Sequence, residues 1–490
     1  MNSADDLSRT ALRSLGWVAL DKWGTRLVSL AVFVTLGRLL APRDFGLVAL
    51  AAVFTAILGT FVDGGFSQVL VQRVKVTSLE TATAFWTSVG ISVVMYAALA
   101  ALARPLALLY GEPRLDELLY VLGLQLPIAA LSGTPAALLQ REFAFRGLMV
   151  RQLIGTVGGA VGGLVAALSG LGAWALVVQA VGSVSLSCAT LWVLSGWRPT
   201  LEYSVPVLRS MLGFGLAALG TEAVNLANSQ ADKLIVGTLL GPAALGYYYV
   251  GSRIVNLVSE LMTVVIAQVS FTTFSRMQHE PRRMASAFNK ATFASATIAL
   301  PVFGALAIQA PVIVPLTFGD QWTSSVVVMQ ALAPAAALNS IIYFDKSALL
   351  ARGFARDTFL LALGNAVLGV VLVFAAAPWG IVGVAASRSV RQFIYWPVRI
   401  TVLRLRLGVQ PLAYLRQFLK PGAAALLAIM VMMALDSIVA REPLWKMTLP
   451  MIGFLTTYAA LLYVLSRREI ANIVRSAIGP RRNASGPERS

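Results

Sequence analysis

The chain has 490 residues, of which 58% are hydrophobic and only 12% charged, with a mean hydropathy of +0.76. A soluble domain carries about 25% charged residues, so a water-soluble globular class is excluded. The net charge of +17 would suit nucleic acid, but the basic residues gather in alternate connectors between apolar runs, so no nucleic-acid partner is expected. One cysteine, Cys188, and one histidine, His279, exclude a disulfide framework, a Cys/His metal site and a histidine triad. Neither covalent chemistry, metal nor cofactor is expected.

Residues 1–13 are polar and precede a first apolar run too long for a signal-peptide core, so a retained first helix is expected. From there the apolar runs approach or exceed the roughly 20 residues that cross a bilayer. They fall at 14–37, 45–71, 82–103, 117–139, 147–168 and 173–194, then at 211–239, 244–271, 290–317, 325–350, 358–377 and 380–402, and last at 421–440 and 447–466. The expected fold is an all-α polytopic membrane protein of about fourteen transmembrane helices. The connectors after spans 5, 7, 9 and 11 contain no Lys or Arg, whereas those after even-numbered spans and both termini are rich in them. The positive-inside bias therefore places both ends and the even connectors in the cytoplasm, which requires an even span count and agrees with fourteen.

Residues 37–47, GRLLAPRDFGL, recur as GTLLGPAALGY at 237–247, with Gly37, Leu39, Leu40, Pro42 and Gly46 matched by Gly237, Leu239, Leu240, Pro242 and Gly246. Leu12-Arg13-Ser14 enters span 1 and Leu208-Arg209-Ser210 enters span 7. An even number of spans separates the copies, so both run in the same direction and form parallel repeats about an axis along the membrane normal. The expected organisation is an N-terminal six-helix lobe at 1–200 and a C-terminal six-helix lobe at 201–410 around a central cavity. Two additional helices follow at 411–470, then a disordered cytoplasmic tail at 471–490.

The stretch GWVALDKWGTRLVSLAVFVTLGRLLAPRDFGLVALAAVF, with FVDGGFSQVLVQR after it, resembles the polysaccharide-exporter (Wzx-type) branch of the multidrug/oligosaccharidyl-lipid/polysaccharide flippase superfamily. The motif-like similarity covers about residues 16–73 and 205–276. The resemblance implies a flippase that carries an undecaprenyl-diphosphate-linked oligosaccharide across the inner membrane by alternating access, for capsule, O-antigen or exopolysaccharide assembly. It implies membrane lipids and polymerase or chain-length machinery as neighbours; a monomer is expected. A lipid II flippase is the near alternative. A multidrug cation antiporter would want an acidic cavity and fewer spans. A polysaccharide polymerase or ligase would want a large outer loop, and no outer connector here is long enough.

Charges inside apolar runs are the candidate site, because each is costly in hydrocarbon. Arg26 lies roughly 18 Å into span 1, Arg253 roughly 13 Å into span 8, and Arg388 and Arg391 roughly 12–16 Å into span 12. Guanidinium groups suit a diphosphate, since their planar donors meet two oxygens at once; the competing role is an ion pair that only positions helices, with Glu260 the obvious partner for Arg253. Lys346, beside Asp345, falls near a span end. Glu222, Asn225, Ser229 and Asp232 share one face of span 7 and suit either a coupling ion, H+ or Na+, or counter-charge for the arginines. Asp63, Gly64 and Gly65 read as a hinge in span 2. A phosphatase reporter fused after Gly170 should be active and one fused after Arg198 inactive; the reverse pattern would invert this topology.

Overall fold

The computed structural model describes residue 26 and residues 28–276, 281–438 and 443–478. Among these residues the regular structure is helical. In chain order the helices are α1 (Val28–Leu39), α2 (Pro42–Asp63), α3 (Phe66–Gln72), α4 (Ser78–Leu109), α5 (Arg114–Gly123), α6 (Gln125–Arg141), α7 (Phe145–Leu168) and α8 (Ala173–Ser195). They continue as α9 (Val205–Arg276), α10 (Pro281–Phe318), α11 (Thr323–Ile341), α12 (Tyr343–Ala351), α13 (Ala355–Ala376), α14 (Gly380–Leu407), α15 (Pro411–Ile438) and α16 (Pro443–Ile478). The N-terminal entry to span 1 and the tail from 479 lie outside the described residues.

Among the described residues, eleven stretches are long and apolar enough to cross a membrane. Two of them each cover parts of two of the apolar runs: Asn228–Met262 is broken at Gly241, where φ is +83°, and Ala355–Leu407 at the 3-10 turn Ala377–Trp379. With the described part of span 1, Val28–Leu39, the total comes to about fourteen segments. The chain is a multi-pass, all-helical membrane protein. Large apolar side chains such as Val161, Leu186, Phe374 and Val464 lie on the outside of these helices, where lipid rather than water satisfies them.

The helices form two compact units. Unit one holds the described residues up to Gly251, with Val314–Val328 and Ala362–Ser387; unit two holds those of Ser252–Ile313, Met329–Leu361 and Arg388 onwards. The divisions fall inside α9, α10, α11, α13 and α14 rather than at connectors.

In unit one the two repeated connectors lie against each other. A Cβ built on Gly46 would fall inside the carbonyl oxygen of Pro242, and 3.0 Å from the Gly246 nitrogen. A Cβ on Gly246 would fall inside the Pro42 carbonyl oxygen, and 3.3 Å from the Gly46 nitrogen. The contact is reciprocal, as a two-fold relation between like elements demands, so the two copies of the motif meet each other in space. Rings close over it: Phe45 and Trp322 meet edge to face at 5.3 Å, as do Phe33 and Phe318. The open carbonyls at the end of α1 are capped from the α10–α11 turn, by Trp322 Nε1 on Gly37 O at 2.7 Å and Gln321 Nε2 on Gly37 O and Leu40 O. Arg38 returns the favour, donating to the carbonyls of Thr317 (2.8 Å) and Leu316 at the end of α10.

Unit two has its own core. Phe288, Phe344, Leu349, Leu403 and Tyr414 pack α10, α12, α14 and α15 together. The helices added after the second repeat, α15 and α16, bury Ala424, Ala428, Met432, Phe454 and Tyr458 against Ala305 of α10. Tyr458 Oη reaches the Thr297 carbonyl at 2.6 Å, which satisfies its hydroxyl inside an apolar seam.

Backbone against backbone leaves a methyl group nowhere to go. Gly46→Ala and Gly246→Ala should therefore each destabilise the protein by about 1–3 kcal/mol. Gly90→Ala, in α4 with open space around it, should be neutral or stabilising. Thermal unfolding in detergent reads the difference, and equal midpoints for all three would refute the contact.

Candidate functional site

The longest uninterrupted part of span 2 ends where two residues in succession take left-handed backbone angles. Gly64 has φ +54° and Gly65 φ +76°, a pair that side-chain-bearing residues rarely adopt. α2 stops at Asp63 and α3 restarts at Phe66, and the Ser67 hydroxyl donates to Asp63 Oδ1 across the break. α9 approaches at this point: a Cβ on Gly215 would sit 2.7 Å from the Gly64 carbonyl oxygen.

Beside that approach is a cavity of about 290 Å³. α2 and the turn supply Thr60, Asp63 and Gly65, α3 supplies Gln68, and α9 supplies Leu219 and Glu222. Two residues that the sequence suggested for different reasons, Asp63 as part of a hinge and Glu222 as part of a polar stripe, thus line one space. Two carboxylates, a carboxamide and a hydroxyl form an acceptor-rich wall. Such a wall suits hydroxyl donors, a proton shared between carboxylates, or a cation.

The rest of the stripe runs from an accessible to a buried setting. Asn225 and Ser229 are exposed, with the Ser229 hydroxyl turned to the Leu226 carbonyl at 3.0 Å. Asp232 is buried and accepts from Tyr248 Oη at 3.1 Å, while the Lys233 ammonium lies 5.6 Å from the centre of the Tyr249 ring.

Of the four arginines, Arg26 is half-buried in unit one, with its Nη1 sealed from solvent. The other three belong to unit two. Arg253 and Glu260 pair along α9 at 4.0 Å with both side chains more than a third exposed, which makes the pair worth about 0–1 kcal/mol. Arg388 is half-buried and Arg391 is buried, on one face of α14. Their neighbours anchor that helix: Ser389 Oγ accepts from Ala335 N at 3.1 Å and donates to Ala331 O at 2.6 Å, and Gln392 donates to Asn339 Oδ1 at 2.7 Å.

Other charged contacts escaped the sequence reading. Asp345, which adjoins Lys346 in sequence, is bound instead by Arg399 at 3.5 Å, with only 4% of its side chain exposed. Arg399 lies three turns beyond Arg388 on α14, so extending the arginine face by one more step would have found it. In unit one, Arg141 donates to the carbonyls of Leu70 (3.1 Å) and Arg73 at the end of α3, while Arg73 pairs with Glu80 and donates to Ser210 Oγ at 2.8 Å. These contacts join chain segments remote in sequence, which no local pattern reveals.

Residues 35–327 match the family described as polysaccharide biosynthesis protein. The succinoglycan biosynthesis transport protein ExoT of Rhizobium meliloti is 28% identical over 66% of this chain and 66% of its own length, so the match spans just under two thirds of that relative. The teichuronic acid biosynthesis protein TuaB of Bacillus subtilis is 23% identical over 85% of this chain and 86% of its own. In three dimensions the chain is similar to the lipid II flippase MurJ in an inward closed conformation, with a TM-score of 0.75, covering 92% of this chain and 99% of that one. At 14% identity that likeness concerns the fold.

Removing one partner of a buried ion pair strands the other. Arg399→Ala should cost about 3–5 kcal/mol of stability, and Asp345→Leu combined with Arg399→Leu should recover most of it. Unfolding midpoints in detergent that place the double variant no higher than the single one would rule this out.

Proposed function

The chain belongs to the polysaccharide biosynthesis protein family, and from that membership we propose that it transports an undecaprenyl-diphosphate-linked oligosaccharide across the bacterial inner membrane. The observation that carries the reading is the space beside the Gly64–Gly65 break. A polar cavity lined by Asp63, Gln68 and Glu222 opens at the end of α2, a helix long and apolar enough to cross a bilayer. Polar groups beside an apolar span are favoured where something polar meets them. A glycan moving across the membrane is such a group. The succinoglycan and teichuronic acid pathways named for these two relatives support a carbohydrate cargo.

In this proposal both termini face the cytoplasm and the sugar chain is loaded there. The lobes at 1–200 and 201–410 change access by rocking about the repeat axis, and the Gly64–Gly65 break bends as they do. Arg388 and Arg391, with Arg253 on the same unit, hold the diphosphate; on unit one, Glu222 and Asp63 meet sugar hydroxyls or a coupling H+ or Na+. The protein acts as a monomer beside the polymerase and chain-length machinery, and transport involves no covalent step.

Deleting the gene should abolish the surface glycan and leave its lipid-linked precursor on the cytoplasmic leaflet. Glycan exported at the normal level, with no such accumulation and no second transporter in the genome, would defeat the proposal. In the complemented strain, Arg388→Ala with Arg391→Ala should lower export about tenfold or more at unchanged abundance, equivalent to a hydrogen-bonded charge contact or two.

A further inference from the structure

Unit one contains a second cavity, of different chemistry, between α3, α6, α7 and α8. It encloses about 370 Å³, within the roughly 300–1,000 Å³ typical of ligand pockets. Four serines line it, Ser67, Ser132, Ser183 and Ser187, joined by Gln140 and Gln152 and by one guanidinium, that of Arg151. The remaining lining is alanine, glycine and Val184; among the described residues no carboxylate and no ring takes part.

Its depth can be read from the helices. Gln140 lies in the last turn of α6, and Ser132 about 12 Å further along the axis. Ser183 lies about 18 Å from the end of α8 at Ser195. The cleft therefore reaches about halfway through a hydrocarbon core of roughly 30 Å, from the end that the Lys and Arg distribution assigns to the cytoplasm. Two of the hydroxyls are in use, Ser132 on the Ile128 carbonyl at 2.9 Å and Ser67 on Asp63. The side chains of Ser183, Ser187, Gln140 and Gln152 make no hydrogen bond to another described residue. Unused donors and acceptors at that depth are unfavourable unless water or a ligand meets them.

We propose that this cleft is the cytoplasmic loading subsite for one sugar residue of the cargo, neutral or acidic. Hydroxyls and carboxamides each donate and accept, which matches the two-sided hydrogen bonding of a sugar ring. A phosphate only accepts and is better served by clustered cations; an acyl chain would leave the serines, glutamines and Arg151 that face the cleft unmet. Arg151 supplies the one charge and favours a carboxylate substituent such as a uronate. The wall shared with the acidic cavity sharpens this selection. Ser67 lines the present cleft while hydrogen-bonded to Asp63, which lines the other. An acidic sugar is welcome on the Arg151 side and repelled on the Asp63–Glu222 side.

The inference rests on the transport reading, and two lipid probes separate their failures. Full-length protein in nanodiscs is titrated with undecaprenyl diphosphate bearing the host's own repeat unit, and with bare undecaprenyl diphosphate. The wild type should bind the glycosylated lipid more tightly. Ser132→Leu and Arg151→Gln should each weaken that binding about tenfold, the loss of one or two net hydrogen bonds, and leave the bare lipid unaffected. Equal wild-type affinity for both probes, or parallel losses in the variants, overturns the subsite alone; binding of neither probe by the wild type overturns the transport reading and the subsite with it. Ser132→Cys and Ser183→Cys, made in a Cys188→Ala background, keep the side chains small. A membrane-impermeant thiosulfonate should label both, with protection by the glycosylated lipid only. Labelling blocked equally by the bare lipid, or unaffected by either, refutes the subsite.

Discussion

Two backbones that touch with no side chain between them can meet in only one register. At Gly46 and Gly246 each chain rests on the proline carbonyl of the other, and every neighbouring element is arranged around that fixed point. α1 reaches it with its last carbonyls open, as any helix end does, and the α10–α11 turn caps them through Gln321 and Trp322. α10 ends with its own carbonyls open and receives Arg38. The rings of Phe33, Phe45, Phe318 and Trp322 then fill the remaining space. Proline matters as much as glycine, because it starts each following helix without a donor that would need satisfying. A connector that looks like mere punctuation is therefore the joint at which two copies of one helical pattern are held.

A second constraint is the cost of charge in an apolar medium, and the chain meets it in three ways. Asp345 and Arg399 are paired and almost fully enclosed, which fixes α12 against α14. Arg141 spends its guanidinium on backbone carbonyls at the end of α3, closing a helix terminus that would otherwise be exposed. Asp63 and Glu222 instead line open volume. The first two solutions set each charge against a partner within the protein, whereas the third leaves carboxylates facing open volume. That open volume, rather than depth in the membrane, is what separates a structural charge from one available to a cargo.

The same criterion distinguishes residues that look alike in the sequence. Arg253 and Arg391 are both arginines in apolar runs, but one meets Glu260 at a partly exposed position and the other is buried in α14. Ser132 and Ser183 look like ordinary small residues of a membrane helix. They become informative only because α3, α6, α7 and α8 leave a polar volume between them.

Much of the architecture was legible in the amino-acid order. Helical class, approximate span count and the presence of a repeat follow from apolar run lengths and from a short motif occurring twice, because the bilayer imposes its thickness and its demand for satisfied backbone on any chain that crosses it. Helix periodicity also placed Arg388 with Arg391, and Glu222 with Asp232, on shared faces. Periodicity says nothing about which faces meet. Only the folded chain brings Asp63 to Glu222, pairs Asp345 with Arg399, and lays Gly46 on Pro242. Local pattern is written in spacing along one helix. Packing between helices depends on side-chain volumes and approach distances summed over segments hundreds of residues apart, and these have no counterpart in any short stretch of sequence.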